Sequence, residues 1–256
     1  MTTRSQFRWT SASRTHVGLV RQINEDACLQ QPERGLWTVA DGMGGHAHGD
    51  FASHLVVESL QEMALPDSLA EAVKETQRLL QGVNRKLRAE AALRHARIIG
   101  STVVILLARG GECGYLWAGD SRLYLCRGGH LRQLTRDHSQ IEELKARIWL
   151  ASDDTLVPPS RNMLTRAVGA TDSLAVDEGT IEVIDGDMFL LCSDGLSNEV
   201  SEPEMRAALL PGDCLHAATR LVDRALERGG RDNVSVVVVR AEDPNSCDKT
   251  MANPAL

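Results

Sequence analysis

The chain has 256 residues, of which 43% are apolar and only 4% aromatic, and its formal net charge is -7. That length suits one large domain or two small ones, with a core built from Leu, Val, Ile and Ala. The acidic balance argues against a general nucleic-acid binder, which needs a basic face to neutralise phosphates, and the longest apolar run, residues 103–108, is strand-sized rather than membrane-spanning.

Residues 1–12 are polar, without a clear period and without a hydrophobic signal core, so a loosely packed N-terminus is expected ahead of one domain over residues 13–241. Residues 17–20 and 27–29 read as short strands, and residues 36–40 as a third that ends at Asp41. Over residues 45–63, Phe51, Ala52, Leu55, Val56, Leu60 and Met63 recur at three- and four-residue steps, which predicts an amphipathic helix. Pro66 breaks it, and Asp67 and Ser68 can cap a second helix running to about Arg94. Strands over 102–108 and 113–118 flank the turn signal Arg109-Gly110-Gly111, and a strand over 122–127 comes next, before Gly128-Gly129; the short connections predict antiparallel pairing.

The stretch 137–162 breaks this alternation. A short helix fits residues 141–150, but Asp153-Asp154 and Pro158-Pro159 interrupt the residues after it, so a flap laid over the surface is expected. Residues 180–184 and 188–192 read as a hairpin across Asp185-Gly186-Asp187. Gly212-Asp213 opens a helix with Leu215, Ala218, Leu221, Val222 and Ala225 on one face, and Gly229-Gly230 stops it. Residues 234–239 form a last, fully apolar strand, and residues 242–256 read as a flexible tail. Two groups of antiparallel strands with helices before and after predict an α+β protein: a four-layer α/β/β/α sandwich. The six cysteines form no C-x-x-C pair and no zinc spacing, so they read as free thiols of a cytoplasmic protein.

Five acid-bearing motifs carry the functional information: Asn24-Glu25-Asp26, Asp41-Gly42-Met43-Gly44-Gly45, Gly119-Asp120-Ser121-Arg122, Ser193-Asp194-Gly195 and Arg231-Asp232-Asn233. Taken singly, each is explained by a turn, since Asp-Gly and Asp-Asn are turn dipeptides. Taken together, the acids keep to strand ends, where a sheet rim can bring them to one point. Clustered carboxylates repel one another at low dielectric and call for cations, which points to a magnesium- or manganese-type oxygen site. Two divalent ions about 3.5–4 Å apart acidify a shared water and stabilise charge on a phosphoryl group. Arg21, four residues before Glu25, supplies a guanidinium suited to bind phosphate. The glycines Gly42 and Gly44 after a strand also resemble a dinucleotide fingerprint, but Glu62 lies within one continuous helical pattern instead of ending a second strand, so that reading fails.

At this point the motifs are recognisable. Gly18-Leu19-Val20-Arg21 with Asn24-Glu25-Asp26, Asp41-Gly42-Met43-Gly44-Gly45-His46, Gly119-Asp120-Ser121-Arg122, Ser193-Asp194-Gly195 and Asp232-Asn233 resemble the metal-dependent protein phosphatases of the protein phosphatase 2C type, in their bacterial stand-alone form, over about residues 14–240. The segment from Asp137-His138-Ser139 to Leu164-Thr165-Arg166 resembles that family's flap and the strand after it. The resemblance implies hydrolysis of phosphoserine and phosphothreonine in proteins with Mn²⁺ or Mg²⁺, two core ions and a third weaker one. It implies that Asp41 bridges the core ions, that the Gly42 carbonyl, Asp194 and Asp232 ligate them, and that Glu25 acts through water. Asp26 joins this metal set from behind the direct ligands. Asp120, with Asp194, would hold the third ion, and Arg21 the substrate phosphate. Arg21, Asp41, Asp194 and Asp232 are then the expected catalytic residues. The implied partners are phosphoproteins and a eukaryotic-like Ser/Thr kinase, with a monomeric enzyme and no membrane or nucleic acid. Met43 stands where animal members carry a histidine assigned as general acid, and Met43 has no proton to give. The alternative is a catalytically silent module of the same fold that binds phosphoproteins, and a two-metal phosphodiesterase or nuclease is disfavoured by the lack of a basic, aromatic-bearing strip.

Overall fold

A computed structural model describes residues 7–44, 48–142, 144 and 163–244 of the chain. Most of the expected helix at 141–150 and of the flap at 137–162, together with His46, lies outside these residues. The described strands in chain order are β1 (Arg8–His16), β2 (Asp26–Gln31), β3 (Leu36–Met43), β4 (Gly100–Ser101), β5 (Val103–Arg109), β6 (Glu112–Ala118), β7 (Arg122–Arg127), β8 (His130–Gln133), β9 (Asp177–Glu182), β10 (Met188–Cys192) and β11 (Val234–Glu242). The helices are α1 (His48–Glu62), α2 (Leu69–Leu93), α3 (Asp194–Ser197), α4 (Glu202–Leu209) and α5 (Cys214–Glu227).

One antiparallel sheet runs in the order β1-β11-β10-β7-β8 and the other β2-β3-β5-β6-β9, with β4 paired to β3. Their central strands are apolar at nearly every position because both faces are covered. On β5, Val103, Ile105 and Leu107 meet α1 and α2, while Val104, Leu106 and Ala108 point between the sheets. On β11, Val234, Val236 and Val238 meet the α5 side, and Val237, Val239 and Ala241 fill the layer between the sheets. Trp37, Trp117 and Phe189 supply the bulk of that middle layer. The result is the expected α/β/β/α sandwich. Helix starts obey their caps: the Ser68 hydroxyl accepts from Glu71 N–H at the start of α2, and Asp213 accepts from His216 N–H at the start of α5.

Four local expectations are revised. β1 begins at Arg8, inside the stretch expected to be loose, and pairs with β11 over its whole length. It is an edge strand with one solvent-facing side, so it lacks an apolar signature, and it is anchored by Trp9, whose ring lies 5.3 Å from that of Trp37. Residues 17–20 are a loop, because Asn233 Nδ2 ties the carbonyls of Val17 and Ile23 together across it. The strands at 177–182 and 188–192 do not form a hairpin: β9 pairs with β6 in one sheet and β10 with β7 and β11 in the other. β6 and β7 likewise belong to different sheets, so the Gly119-Asp120-Ser121 turn carries the chain from one layer to the other.

Candidate active site

The sheet crossings explain how distant acids meet. The loop from β1 to β2 crosses between sheets and carries Arg21 and Glu25, and the crossing from β6 to β7 carries Asp120. Asp41 sits in β3 of one sheet, while Asp194 comes after β10 and Asp232 precedes β11 in the other. All six side chains line one cavity of about 620 Å³ at this rim, with the Gly42 backbone beside them. Asp26 does not line it. It stands opposite Asp41 in the β2–β3 ladder, buried, with Oδ2 accepting from the Ser193 hydroxyl at 2.8 Å and Oδ1 without a hydrogen-bond partner.

Close backbone approach makes the geometry possible. A Cβ on Gly42 would lie 2.0 Å from the Gly49 carbonyl oxygen, and one on Gly195 would lie 1.9 Å from that of Asn233. Glycine is therefore required beside both Asp41 and Asp194. Gly42 N–H donates to the Glu25 carbonyl at 3.0 Å, and Gly49 N–H donates to Glu25 Oε1 at 3.2 Å, so the start of α1 and the end of β3 are tied to the loop that carries Glu25. Thr102 Oγ1 accepts from Asp41 N–H at 3.0 Å and pairs with Ser121 at 2.7 Å, linking Asp41 to the Asp120 turn.

Two residues not expected as site residues organise it. Asn233 Oδ1 accepts from Glu25 N–H at 2.8 Å, while Nδ2 holds the Val17 and Ile23 carbonyls at 2.8 and 3.0 Å. One amide thus fixes the loop bearing both Arg21 and Glu25; in the sequence Asn233 stood out only as part of the Asp232-Asn233 motif, with no role of its own. Arg166 lines the cavity and pairs with Asp177 at 2.6 Å; the sequence marked it only as the end of the segment after the flap, with no site role. Met43, Ile98 and Met163 add an apolar portion to the wall.

The carboxylates resist ionisation in one another's company. Burial first, then the charges of Asp26, Asp194, Asp120 and Asp232, pushes Asp41 well above the ordinary carboxylate range. Burial and then Asp194 push Asp120 up to about 7. Asp194 is raised by burial and by Asp232, and Asp26 chiefly by burial. Arg21 donates to Asp232 Oδ2 at 2.8 Å, and that bond raises the guanidinium's own pKa. Among the described residues no three His, Cys, Asp or Glu side chains close on a single point. They are spread round the cavity by other partners: Asp232 by Arg21, Asp194 by Asn198 at 3.1 Å, and Glu25 by Gly49. The donors are hard oxygens, and the buried Asp26 Oδ1 adds an acceptor with no partner. That set fits Mn²⁺ or Mg²⁺ and would not suit a thiolate- or imidazole-seeking metal.

A family model described as protein phosphatase 2C matches residues 12–228. Among curated proteins, the serine/threonine protein phosphatase PstP of Mycobacterium tuberculosis is 34% identical over 236 residues, covering 91% of this chain and 45% of that protein; the chain thus spans about half the length of this relative. The serine/threonine phosphatase stp of Listeria innocua is 34% identical over 236 residues, covering 88% of this chain and 93% of that protein. Among solved structures, PppA of Pseudomonas aeruginosa, described as a key regulatory component of T6SS, is 46% identical with a TM-score of 0.85, over 91% of this chain and 97% of that one. The catalytic domain of PstP in complex with two manganese ions is 32% identical with a TM-score of 0.80, over 93% of this chain and all of that one.

Proposed function

The chain belongs to the protein phosphatase 2C family, and on that premise we propose that it is a protein serine/threonine phosphatase that hydrolyses phosphoserine and phosphothreonine with the help of divalent cations. The observation that carries this reading is the convergence of Glu25, Asp41, Asp120, Asp194 and Asp232, from five separated segments, on one cavity with Arg21 on its wall.

Asp41, Asp194 and Asp232, with the Gly42 carbonyl, would hold two core ions, Glu25 would act through water, and Asp120 with Asp194 would hold a third. Asp26 supports the set from behind β3. The ions, Mn²⁺ or Mg²⁺, supply the positive charge that acidifies water and offsets the charge of the phosphoryl group. The chain's own part is orientation. Arg21, itself oriented by Asp232, binds the substrate phosphate and fixes it in line. Asn233 and Thr102 hold the backbone of Glu25 and Asp41, so the acids keep their places while substrate enters and leaves. Met43 shapes the wall and donates no proton.

The substrates are regulatory phosphoproteins, with a eukaryotic-like Ser/Thr kinase as the opposing enzyme. The likeness to PppA, described as a key regulatory component of T6SS, supports a regulatory setting. The protein acts as a monomer in the cytoplasm; the cysteines among the described residues are unpaired, which suits a reducing compartment, and no helix among those residues is long and apolar enough to cross a membrane. The test is turnover of a phosphothreonine and a phosphotyrosine peptide across metals. Mn²⁺- or Mg²⁺-dependent release of phosphate from the phosphothreonine peptide, abolished by chelation, is expected. Tight phosphopeptide binding without metal-stimulated turnover would favour the silent module instead.

A further inference from the structure

Among the described residues His138 is the one histidine with a buried side chain. Its ring is bonded on both edges. Nδ1 accepts from Gly119 N–H at 3.2 Å, and Nε2 lies 3.1 Å from Asp177 Oδ2. Because Nδ1 is an acceptor, the proton sits on Nε2 and is donated to Asp177. Arg166 Nη1 donates to the other oxygen of the same carboxylate at 2.6 Å. The ring stacks on Trp117 with centroids 5.9 Å apart and an interplanar angle of 8°, which fixes its plane. Its main chain joins the same two segments: His138 N–H donates to the Gly119 carbonyl at 2.9 Å, and Thr165 N–H donates to the His138 carbonyl at 2.8 Å.

Resting on the phosphatase reading, we propose that His138 is a positioning residue for the site: its imidazole ties the turn that carries Asp120 to Asp177 and, through it, to Arg166 on another part of the cavity wall. Asp120 and Arg166 both line the cavity, whereas His138 does not. The Asp120 turn is the sheet crossing between β6 and β7, so no ladder partner holds it. Thr102 grips it through Ser121, and His138 through Gly119. A protonated ring would present a second donor to Gly119 N–H and release that grip. Burial lowers the pKa of the ring, opposed by Asp177 and Asp137 and reinforced by Arg166, which favours the neutral form the bond requires.

The test compares two variants by calorimetric titration with Mn²⁺, alongside turnover of an aryl phosphate. His138→Asn retains an oxygen acceptor near the Nδ1 position but loses the donor to Asp177, and should weaken Mn²⁺ binding about threefold. His138→Gln keeps a donor toward Asp177 but loses the acceptor for Gly119, and should weaken Mn²⁺ binding about tenfold, the usual scale for a group that orients a ligand, while lowering kcat more than it changes KM. A merely structural histidine would lower the unfolding midpoint of both variants alike and leave both isotherms like the parent's; that outcome overturns the proposal. If either variant does not fold, Asp177→Ala, at a half-exposed position, gives the same test: a weakened isotherm supports the proposal and an unchanged one overturns it. A parent that binds Mn²⁺ but shows no turnover would defeat the phosphatase reading, and the comparison of isotherms would still decide the role of His138.

Discussion

The two ends of β3 make an instructive contrast. At the Asp41 end, carboxylates from both sheets share a cavity with two arginines and burial drives their pKa values up. At the Leu36 end lies a larger cavity of about 850 Å³, whose wall includes Arg34 and Arg109 beside Trp9. There main-chain carbonyls engage the guanidiniums. Arg34 donates to the carbonyls of Gln61, at 2.6 Å, and Met63, closing the C-terminal end of α1, and Arg109 donates to those of Pro66 and Arg34 at 2.9 and 2.7 Å. Size therefore does not distinguish a site from a structural hollow. What distinguishes the acid end is that carboxylates from both sheets are buried together, whereas at the other end main-chain carbonyls engage the guanidiniums.

The sharpest way to break this contrast is at the acid end. Asp232→Asn should lower aryl-phosphate turnover by about a thousandfold, or about 4 kcal/mol of barrier, with an unchanged unfolding midpoint in chelator; turnover at the parent rate would remove Asp232 from the site. Gly42→Ala should be severe in a different way. Its Cβ meets the Gly49 carbonyl at 2.0 Å, so both stability and activity should fall, stability by more than about 2 kcal/mol, measured by denaturant unfolding without metal. Mn²⁺ itself should stabilise the parent by about 2.7 kcal/mol at a hundredfold excess over its dissociation constant, seen as a raised thermal midpoint that chelation reverses and that shrinks in Asp232→Asn. At the other end, Arg34→Ala should cost about 1–3 kcal/mol of stability, because the α1 carbonyls lose their donor, yet leave kcat/KM within about twofold. A large loss of kcat/KM in that variant with stability intact would show that the arginine end takes part in function after all.

The site was more legible in the sequence than the topology that builds it. Glu25, Asp41, Asp120, Asp194 and Asp232 each announced themselves as an acid near a strand end or turn, and Arg21 by its place ahead of Glu25; all of them line the cavity. Asp26 shares a motif with Glu25, but strand alternation turns it to the opposite face, where it meets Ser193. The hairpin expected over 180–192 was misleading because a short connection looks the same whether it joins neighbours in one sheet or crosses to another. Asn233 and His138 stood within motifs that carried the resemblance, but their roles were hidden for a related reason. Their work is to bond backbone atoms of segments far away in sequence, and no local pattern records which carbonyl or amide will face them.

By itself the sequence settled the layers, since strands apolar on both faces must lie between helices and a second sheet, and it singled out the acids, since charge at so many strand ends has few structural uses. Tertiary structure alone decided which strands share a sheet and where the chain crosses between them. Pairing partners are chosen by the closest packing of the whole middle layer around Trp37, Trp117 and Phe189, and that choice is what brings acids from the two sheets to one rim.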